Sequence, residues 1–259
     1  MRERPMTQEM HHRRERIVEL VNRQGSVSFA QVKQELPGVS EMTLRTDLKA
    51  LDAERRIVRI HGGARSVGYV VGTDDLLDRR TVRNVEAKEA IAAKAVALVR
   101  PDSCICIDSG STTTALAARI PDERLLAFTN SLTVAGELAR LANPQTHVFG
   151  GTLNRFSRCM NGSAVVEAVR DAHFDTFFFG VTNYSDSMGF TCGSEEEARF
   201  KRACIEQADT VVALMDGSKV GPRGTFRICG LDAVDAVVGD DGLPAGFREA
   251  CSEHGVDVL

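Results

Sequence analysis

ICIDSGSTTTALAARI, residues 105–120, decides how this chain folds. An apolar run ends at Asp108, turns through Gly110 and a run of hydroxyl residues, then takes up helical spacing. Strand, small polar loop and helix N-terminus are the parts of a phosphate cradle. At the start of such a helix the backbone N–H groups of Gly110 to Thr113 lack intrahelical acceptors. Together with the helix dipole they favour a dianion. The hydroxyls of Ser111, Thr112 and Thr113 can donate to its oxygens at little steric cost. A plain N-cap is the competing reading of the same residues.

The strand–loop–helix unit recurs outward from this stretch. SCICI, LLAFT, THVFG, FDTFFFG, TVVALM, AVDAVVG and VDVL read as strands. Helical segments alternate with them: NVEAKEAIAAKAVALV, STTTALAARI, SLTVAGELARLA, SAVVEAVRDA, SEEEARFKRACIEQA and GFREACSEHG. Strict alternation with apolar strand cores predicts an α/β domain whose mostly parallel sheet is covered on both faces. In such sheets the ligand crevice lies beyond the carboxyl ends of the strands. The polar clusters at those ends are DSGSTTT (108–114), TNS (129–131), GGTLN (150–154), GVTNYSD (180–186) and MDGSK (215–219).

From these clusters Asp108 and Asp216 are expected as acceptors for sugar hydroxyls, and Asn130 as both donor and acceptor. Lys88, Lys201 and Lys219 fall near helix or strand ends, where a cation completes the neutralisation of a phosphate. Each residue also has an ordinary structural role open to it. An Asp at a strand end caps a turn, a Lys in an amphipathic helix faces water, and Gly150-Gly151 supplies positive φ. The clustering at one end of successive strands is what favours a site.

Upstream the pattern is different. From His12 to Asn22 the apolar residues Ile17, Leu20 and Val21 recur at helical spacing, and Gly25 ends that helix. SFAQVKQEL follows, with Ser28 and Gln31 in the positions of a capping box and Val32 and Leu36 on the buried face. PGVS, residues 37–40, breaks the helix and supplies Ser40 as the N-cap of a third. There Leu44, Leu48 and Leu51 share one face, while Met42, Thr43, Arg45, Thr46 and Lys49 project from the other. Three short helices with a tight turn before the third form a helix-turn-helix. RRIVRIHGGARS then reads as a two-stranded wing turning at Gly62-Gly63, with Arg55, Arg56, Arg59 and Arg65 suited to backbone phosphates. A three-helix packing domain with a charged outer face is the alternative.

Composition agrees with a globular protein: 43% of the 259 residues are hydrophobic, 26% charged and 5% aromatic. No apolar run approaches the roughly 18 residues needed to cross a bilayer. MRERPMTQEMHHRRERI carries charges with no apolar core behind them, so no signal peptide is expected and the cytoplasm is the expected location. The 7 cysteines are odd in number and lack framework spacing, so structural disulfides are not expected. Cys104 and Cys106 share a strand face and read as core, and neither a metal nor a cofactor is expected. Residues 1–66 hold 13 Lys and Arg against 9 Asp and Glu, and the remainder 19 against 27. A basic module ahead of an acidic body suggests a contact with a polyanion. The expected organisation is a winged helix-turn-helix over residues 1–66, a linker over 67–83 and an effector-sensing domain over 84–259.

RRERIVELVNRQGSVSFAQVKQEL and VSEMTLRTDLKALDAERRIVRIHGGA closely resemble the winged helix of the DeoR family of bacterial regulators. The family's pattern S-x-x-T-[IL]-R-x-D-L-x-x-L is met by Ser40, Thr43, Leu44, Arg45, Asp47, Leu48 and Leu51, and its HGGA wing by His61 to Ala64. Thr46 stands where the family usually carries a second arginine, and Pro37-Gly38 replaces its usual turn residues. Both departures bear on operator choice rather than on fold. EAKEAIAAKA, IDSGSTTTALA, FTNSLTVAGEL, VFGGTLN, MNGSAV, FDTFFFGV, GFTCGSEEEARFKRA and MDGSKVG resemble the family's sensor domain over roughly residues 76–240.

The resemblance implies a cytoplasmic repressor that binds double-stranded operator DNA as a dimer or tetramer and releases it when a phosphorylated sugar fills the sensor. Ser40, Met42, Thr43, Arg45, Thr46, Lys49, Arg59, His61 and Arg65 are the DNA-contacting candidates. The implied sensor fold is related to ribose-5-phosphate isomerases and coenzyme A transferases, which raises an isomerase-like enzyme as the alternative. Such isomerases carry an acidic loop after a central strand, whereas the corresponding FFFGVTNYSD has no carboxylate before Asp186. No H-E-x-x-H, nucleophile elbow or Walker sequence offers other chemistry. A regulator, not an enzyme, is the expectation.

Overall fold

Two units make up the chain, Met1–Gly72 and Thr73–Leu259. In this computed structural model, residues 8–24, 26–54, 56–60, 62–66 and 77–259 are described. Gly25, Arg55, His61 and positions 67–76 of the expected linker lie outside the described residues, as does the side chain of Arg65.

In the first unit, α1 (Gln8–Gln24) is followed by β1 (Ser26–Ser28), α2 (Phe29–Glu35), α3 (Glu41–Ala53), β2 (Ile57–Ile60) and β3 (Gly63–Ser66). Ile17, Leu20 and Val21 from α1 pack with Val32, Leu36, Leu44, Leu48 and Leu51 in one buried cluster. The helical apolar stripes therefore meet as their spacing requires. Ser28 and Gln31 form the reciprocal cap, with Gln31 N donating to Ser28 Oγ and Ser28 N to Gln31 Oε1. Thr43 N donates to Ser40 Oγ at 3.2 Å, which fixes the start of α3. β2 and β3 pair antiparallel as the wing, and β1 adds a third strand beyond β3. That third strand has too few residues to show a period in the sequence. Both wing glycines are required: Gly62 has φ +81°, and a Cβ on Gly63 would lie 2.0 Å from Val27 O.

In the second unit, α4 (Leu77–Thr81) falls within the stretch expected as linker, and α5 (Val85–Ala95) leads into β4 (Cys104–Ile107). Then come α6 (Ser111–Ala117), β5 (Leu126–Thr129), α7 (Leu132–Leu138) and β6 (Gln145–Val148). A hairpin of β7 (Thr152–Asn154) and β8 (Cys159–Asn161) precedes α8 (Ser163–Arg170) and β9 (Phe174–Gly180). β10 (Asn183–Ser185), β11 (Gly189–Cys192), α9 (Glu195–Glu206), β12 (Ala208–Met215) and β13 (Phe226–Cys229) follow. β14 (Ala236–Gly239), α10 (Ala245–Glu253) and β15 (Asp257–Val258) close the chain.

Seven strands form one parallel sheet in the order β15-β14-β12-β9-β4-β5-β6. Side chains alternate across it with period two. Ile105, Ile107, Phe178, Val212 and Leu214 pack on one face with Ile91, Leu116 and Val134 of α5, α6 and α7. Cys106, Phe177, Phe179, Val211 and Ala213 pack on the other with Val165, Phe200 and Phe247 of α8, α9 and α10. The fold is thus the expected winged helix-turn-helix plus a mostly parallel α/β domain. The additions are two small antiparallel elements, the β7–β8 hairpin and the β10-β11-β13 sheet.

The strand order creates a crevice. From β4 the chain moves outward to β5 and β6, then returns to the far side of β4 as β9 and continues to β12, β14 and β15. The loops after β4 and β9 consequently leave in opposite directions, the arrangement in which open parallel sheets bind ligands.

Candidate functional site

A small polar cleft of about 170 Å³ opens at that crevice. Its lining comes from the loop after β4 (Ser109 to Thr112), the loop after β9 (Gly180 to Thr182) and the turn after β12 (Asp216, Ser218, Lys219). Lys88 of α5, Arg80 of α4, and Arg83 and Asn84 between those helices close it from the other side, with Glu197 of α9. Three of the five sequence clusters therefore converge. The other two do not, because β5 and β6 lie on the outer side of β4.

Gly110 carries φ +151°, a conformation L side chains rarely adopt, and it turns the chain from β4 into α6. Ser111 and Thr112 are half-buried and face the cleft. Thr113 is a correction to the expected set: it is fully buried, and its hydroxyl donates to Gly110 O at 3.0 Å.

Asp108, Lys201 and Asn130 are also corrected. Lys201 Nζ lies 2.5 Å from Asp108 Oδ2, 3.1 Å from Glu197 Oε1 and 2.8 Å from Gly180 O, with both Lys201 and Asp108 buried. Burial pushes Lys201 down, but the Asp108 and Glu197 carboxylates outweigh it and hold its pKa above the ordinary lysine value. Asp108 Oδ2 also accepts from Gly180 N at 3.2 Å, so the pair joins the ends of β4 and β9 beneath the cleft. Neither side chain lines the cleft, although Asp108 Oδ1, like Arg80 Nε, is buried with no hydrogen-bond partner among the described residues. Asn130 is buried as well, and its Nδ2 donates to Met160 O at 3.0 Å, tying the end of β5 to the β7–β8 hairpin.

The cations of the cleft crowd one another. Lys88 donates to the carbonyls of Arg80 and Arg83 at the end of α4. Burial, followed by the charge of Lys219, pushes Lys88 down to about 8, with Asp216 opposing and Arg80 and Arg83 contributing. Arg80 Nε is closed off from solvent with no hydrogen-bond partner among the described residues. Asp216 Oδ1 accepts from Ser218 N at 3.0 Å and from Asn84 Nδ2 at 3.2 Å, so one of its oxygens braces the turn. Arg80 and Arg83 were missed by sequence reasoning, as was Ser218. The signal available was LDRRTVR, a run of arginines with no helical period.

In the winged helix, Met42, Arg45, Thr46, Lys49 and Arg59 line one open depression on the outer side of α3. Arg45 lies over the Phe29 ring at 4.3 Å. Arg56, expected at the wing for phosphate, instead pairs with Glu15 at 2.6 Å. Asp47, noted only as a motif position, is buried and receives Arg13 Nε at 2.6 Å and Arg14 Nε at 2.9 Å. The signal for it is its spacing: with Leu44, Leu48 and Leu51 it falls on the inner face of α3.

Cys106 Sγ and Cys204 Sγ are 3.8 Å apart in the core as free thiols. Among the described residues no helix is long and apolar enough to cross a membrane.

A winged helix-turn-helix with an outward-facing recognition helix, joined to an α/β domain with a cationic crevice, defines a two-domain DNA-binding transcriptional regulator. Residues 13–69 match the DeoR-like helix-turn-helix domain and residues 83–241 the DeoR C terminal sensor domain. The chain belongs to the DeoR family. It is 34% identical to the HTH-type transcriptional regulator GlpR of Haloferax volcanii, over 95% of this chain and 96% of that one. It is 30% identical to a putative aga operon transcriptional repressor of Escherichia coli O157:H7, over 95% and 92%. With the lactose phosphotransferase system repressor of Staphylococcus epidermidis it shares 29% identity over 89% and 92%. These three relatives carry the names of transcriptional regulators. Among solved structures, ribose 5-phosphate isomerase A of Methanocaldococcus jannaschii overlaps 53% of this chain and 55% of its own at 16% identity and a TM-score of 0.39. An overlap so slight carries no statement about activity.

Proposed function

We propose that the protein is a cytoplasmic repressor of a sugar or sugar-derivative catabolic operon, relieved when a phosphorylated sugar occupies the cleft between β4 and β9. One observation carries this reading: Arg80 Nε is a buried donor without a partner, set among Arg83, Lys88 and Lys219 beside the start of α6. An unmade hydrogen bond of that kind costs about 1–3 kcal/mol, more for a charged group, and a phosphate oxygen would supply it. The Gly110 to Thr112 segment offers amides and hydroxyls to the same anion, while Ser109, Thr182 and Asp216 suit sugar hydroxyls. The names of the aga operon and lactose phosphotransferase relatives support a sugar-linked operon.

Binding of operator DNA falls to α3 and the wing, through Met42, Thr43, Arg45, Thr46, Lys49 and Arg59. Ser40 fixes the helix start. A two-fold dimer, alone or paired into a tetramer, would read half-sites separated by about one helical turn or a multiple of it. The effector acts through its differential affinity for the DNA-bound and free geometries. A mobility-shift titration with a panel of sugar phosphates tests the reading. At least one phosphorylated sugar is expected to weaken operator binding tenfold or more, and its unphosphorylated counterpart to do nothing. No response to any phosphorylated compound would sink the sensor assignment and leave the DNA-binding one standing.

A further inference from the structure

Met42 is the most exposed large apolar side chain among the described residues, at 79%. It stands in the first turn of α3, and N-terminal residues of a recognition helix are those that meet base edges in the major groove. Among the described residues it joins no buried cluster: the α3 residues there are Leu44, Leu48 and Leu51.

The hydroxyls beside Met42 are engaged within the helix itself. Thr46, one helical turn on, donates its hydroxyl to Met42 O at 2.9 Å. Thr43 Oγ1 is 2.8 Å from Ser40 Oγ, within the cap. The Thr46 proton is thus committed to the helix, which leaves its methyl group and the hydroxyl lone pairs to a partner. Met42 and Thr46 share an open depression with Arg45, Lys49 and Arg59. Met42 is its one apolar side chain, and Arg45, Lys49 and Arg59 are cationic. Arg45 is held over Phe29 at 4.3 Å.

B-DNA offers one counterpart to this pattern. Every group on the major-groove base edges that directs recognition is a hydrogen-bond donor or acceptor except the thymine 5-methyl. Apolar side chains from a recognition helix gain by covering that methyl, while the surrounding cations suit the phosphates on either side of the groove. Resting on the assignment of operator binding to α3, we propose that Met42, together with the Thr46 methyl, reads thymine 5-methyl groups, making Met42 a specificity-determining residue for A·T pairs in the operator half-site.

The test uses the full-length chain. Duplexes are selected from a random pool, and each thymine of the selected half-site is replaced in turn by deoxyuridine, which keeps the pairing edge and removes only the methyl. Wild-type protein is expected to lose about fourfold in affinity at one or two positions, the equivalent of leaving one methyl uncovered. Met42→Ala is expected to bind the thymine and uracil duplexes within a factor of two of each other. Met42→Leu is expected to keep the preference, which separates apolar readout from a general effect of the substitution. Wild-type indifference to uracil overturns the proposal. So does a selected half-site lacking thymine, or a Met42→Ala variant that retains the full thymine preference.

Discussion

Lys201 Nζ and Asp108 Oδ2 stand 2.5 Å apart with both side chains closed off from solvent, one on α9 and the other at the end of β4. The pair sets the floor of the cleft by holding Gly180 through both its N–H and its carbonyl. Removing one member leaves a buried charge without its partner, a change that costs about 3–5 kcal/mol. Lys201→Met is therefore expected to lose stability of that order in denaturant unfolding followed on the sensor unit. The Asp108→Asn, Lys201→Met double variant is expected to recover part of the loss, since no lone carboxylate remains at position 108. Equal losses in the single and double variants would show that packing, not charge, sets the cost.

Lys88 gives the cleft a pH dependence with a definite sign. In the free protein its pKa is lowered to about 8, by burial first and by Lys219 next. A bound dianion adds negative charge beside it and raises that pKa, so the complex holds more protons than the free protein at and above pH 8. Affinity for a sugar phosphate is then expected to fall as pH rises above about 8, by up to tenfold per unit. A phosphate's second ionisation lies near pH 6, so the ligand's own titration is complete in this range. Calorimetric titrations at pH 7, 8 and 9 measure the slope. Lys88→Arg stays charged throughout and is expected to flatten it.

Neighbouring threonines of the cradle are expected to behave differently. Thr112 and Ser111 face the cleft, whereas the Thr113 hydroxyl is spent on Gly110 O. Thr112→Val and Ser111→Ala should each weaken the effector response by about ten- to a hundredfold, the worth of one hydrogen bond to a charged group. Thr113→Val should leave that response intact and lower stability by about 1 kcal/mol. Paired measurements of unfolding midpoint and effector-dependent operator release separate the two. A Thr113→Val variant that is stable but unresponsive would put its hydroxyl back in the site.

Much of this was legible along the chain, and the losses have physical causes. The inner parallel strands β9, β12 and β14 carry apolar runs because both their faces are largely buried, so FDTFFFG and TVVALM announce themselves, whereas the edge strand QTHV is mostly exposed. The hairpin TLN–CMN and the strand NYS have no such run, and β11 pairs with β13 across the whole of α9 and β12. Strand ends could be read from the sequence, but their order could not. TNS and GGTLN looked equivalent to DSGSTTT until the sheet placed β5 and β6 on the outer side. Lys201 was read as a phosphate-neutralising cation, with a solvent-facing helix lysine as the alternative, because its partner lies 93 residues away. Arg80 and Arg83 were hidden because the five-residue α4 is too short to show a helical period.

Asp47 is the electrostatic centre of the winged helix and should be its most sensitive polar position. It is buried on the inner face of α3 and takes one guanidinium from Arg13 and another from Arg14, which also reaches Glu54 at 3.1 Å. These contacts fasten α1 across the back of the recognition helix, where no apolar side chain could satisfy two arginines. Asp47→Ala takes from Arg13 and Arg14 the carboxylate they share and opens a cavity beside them, and is expected to cost about 3 kcal/mol in the stability of this unit. Operator affinity should fall with it, since α3 then loses its buried ionic tie to α1. Asp47→Asn keeps the shape and one acceptor oxygen and should fall between the two. Unfolding followed by a probe in the first unit, beside mobility shifts below the transition, tests both. Full operator affinity in a destabilised Asp47→Ala variant would show that α3 keeps its orientation without the clamp.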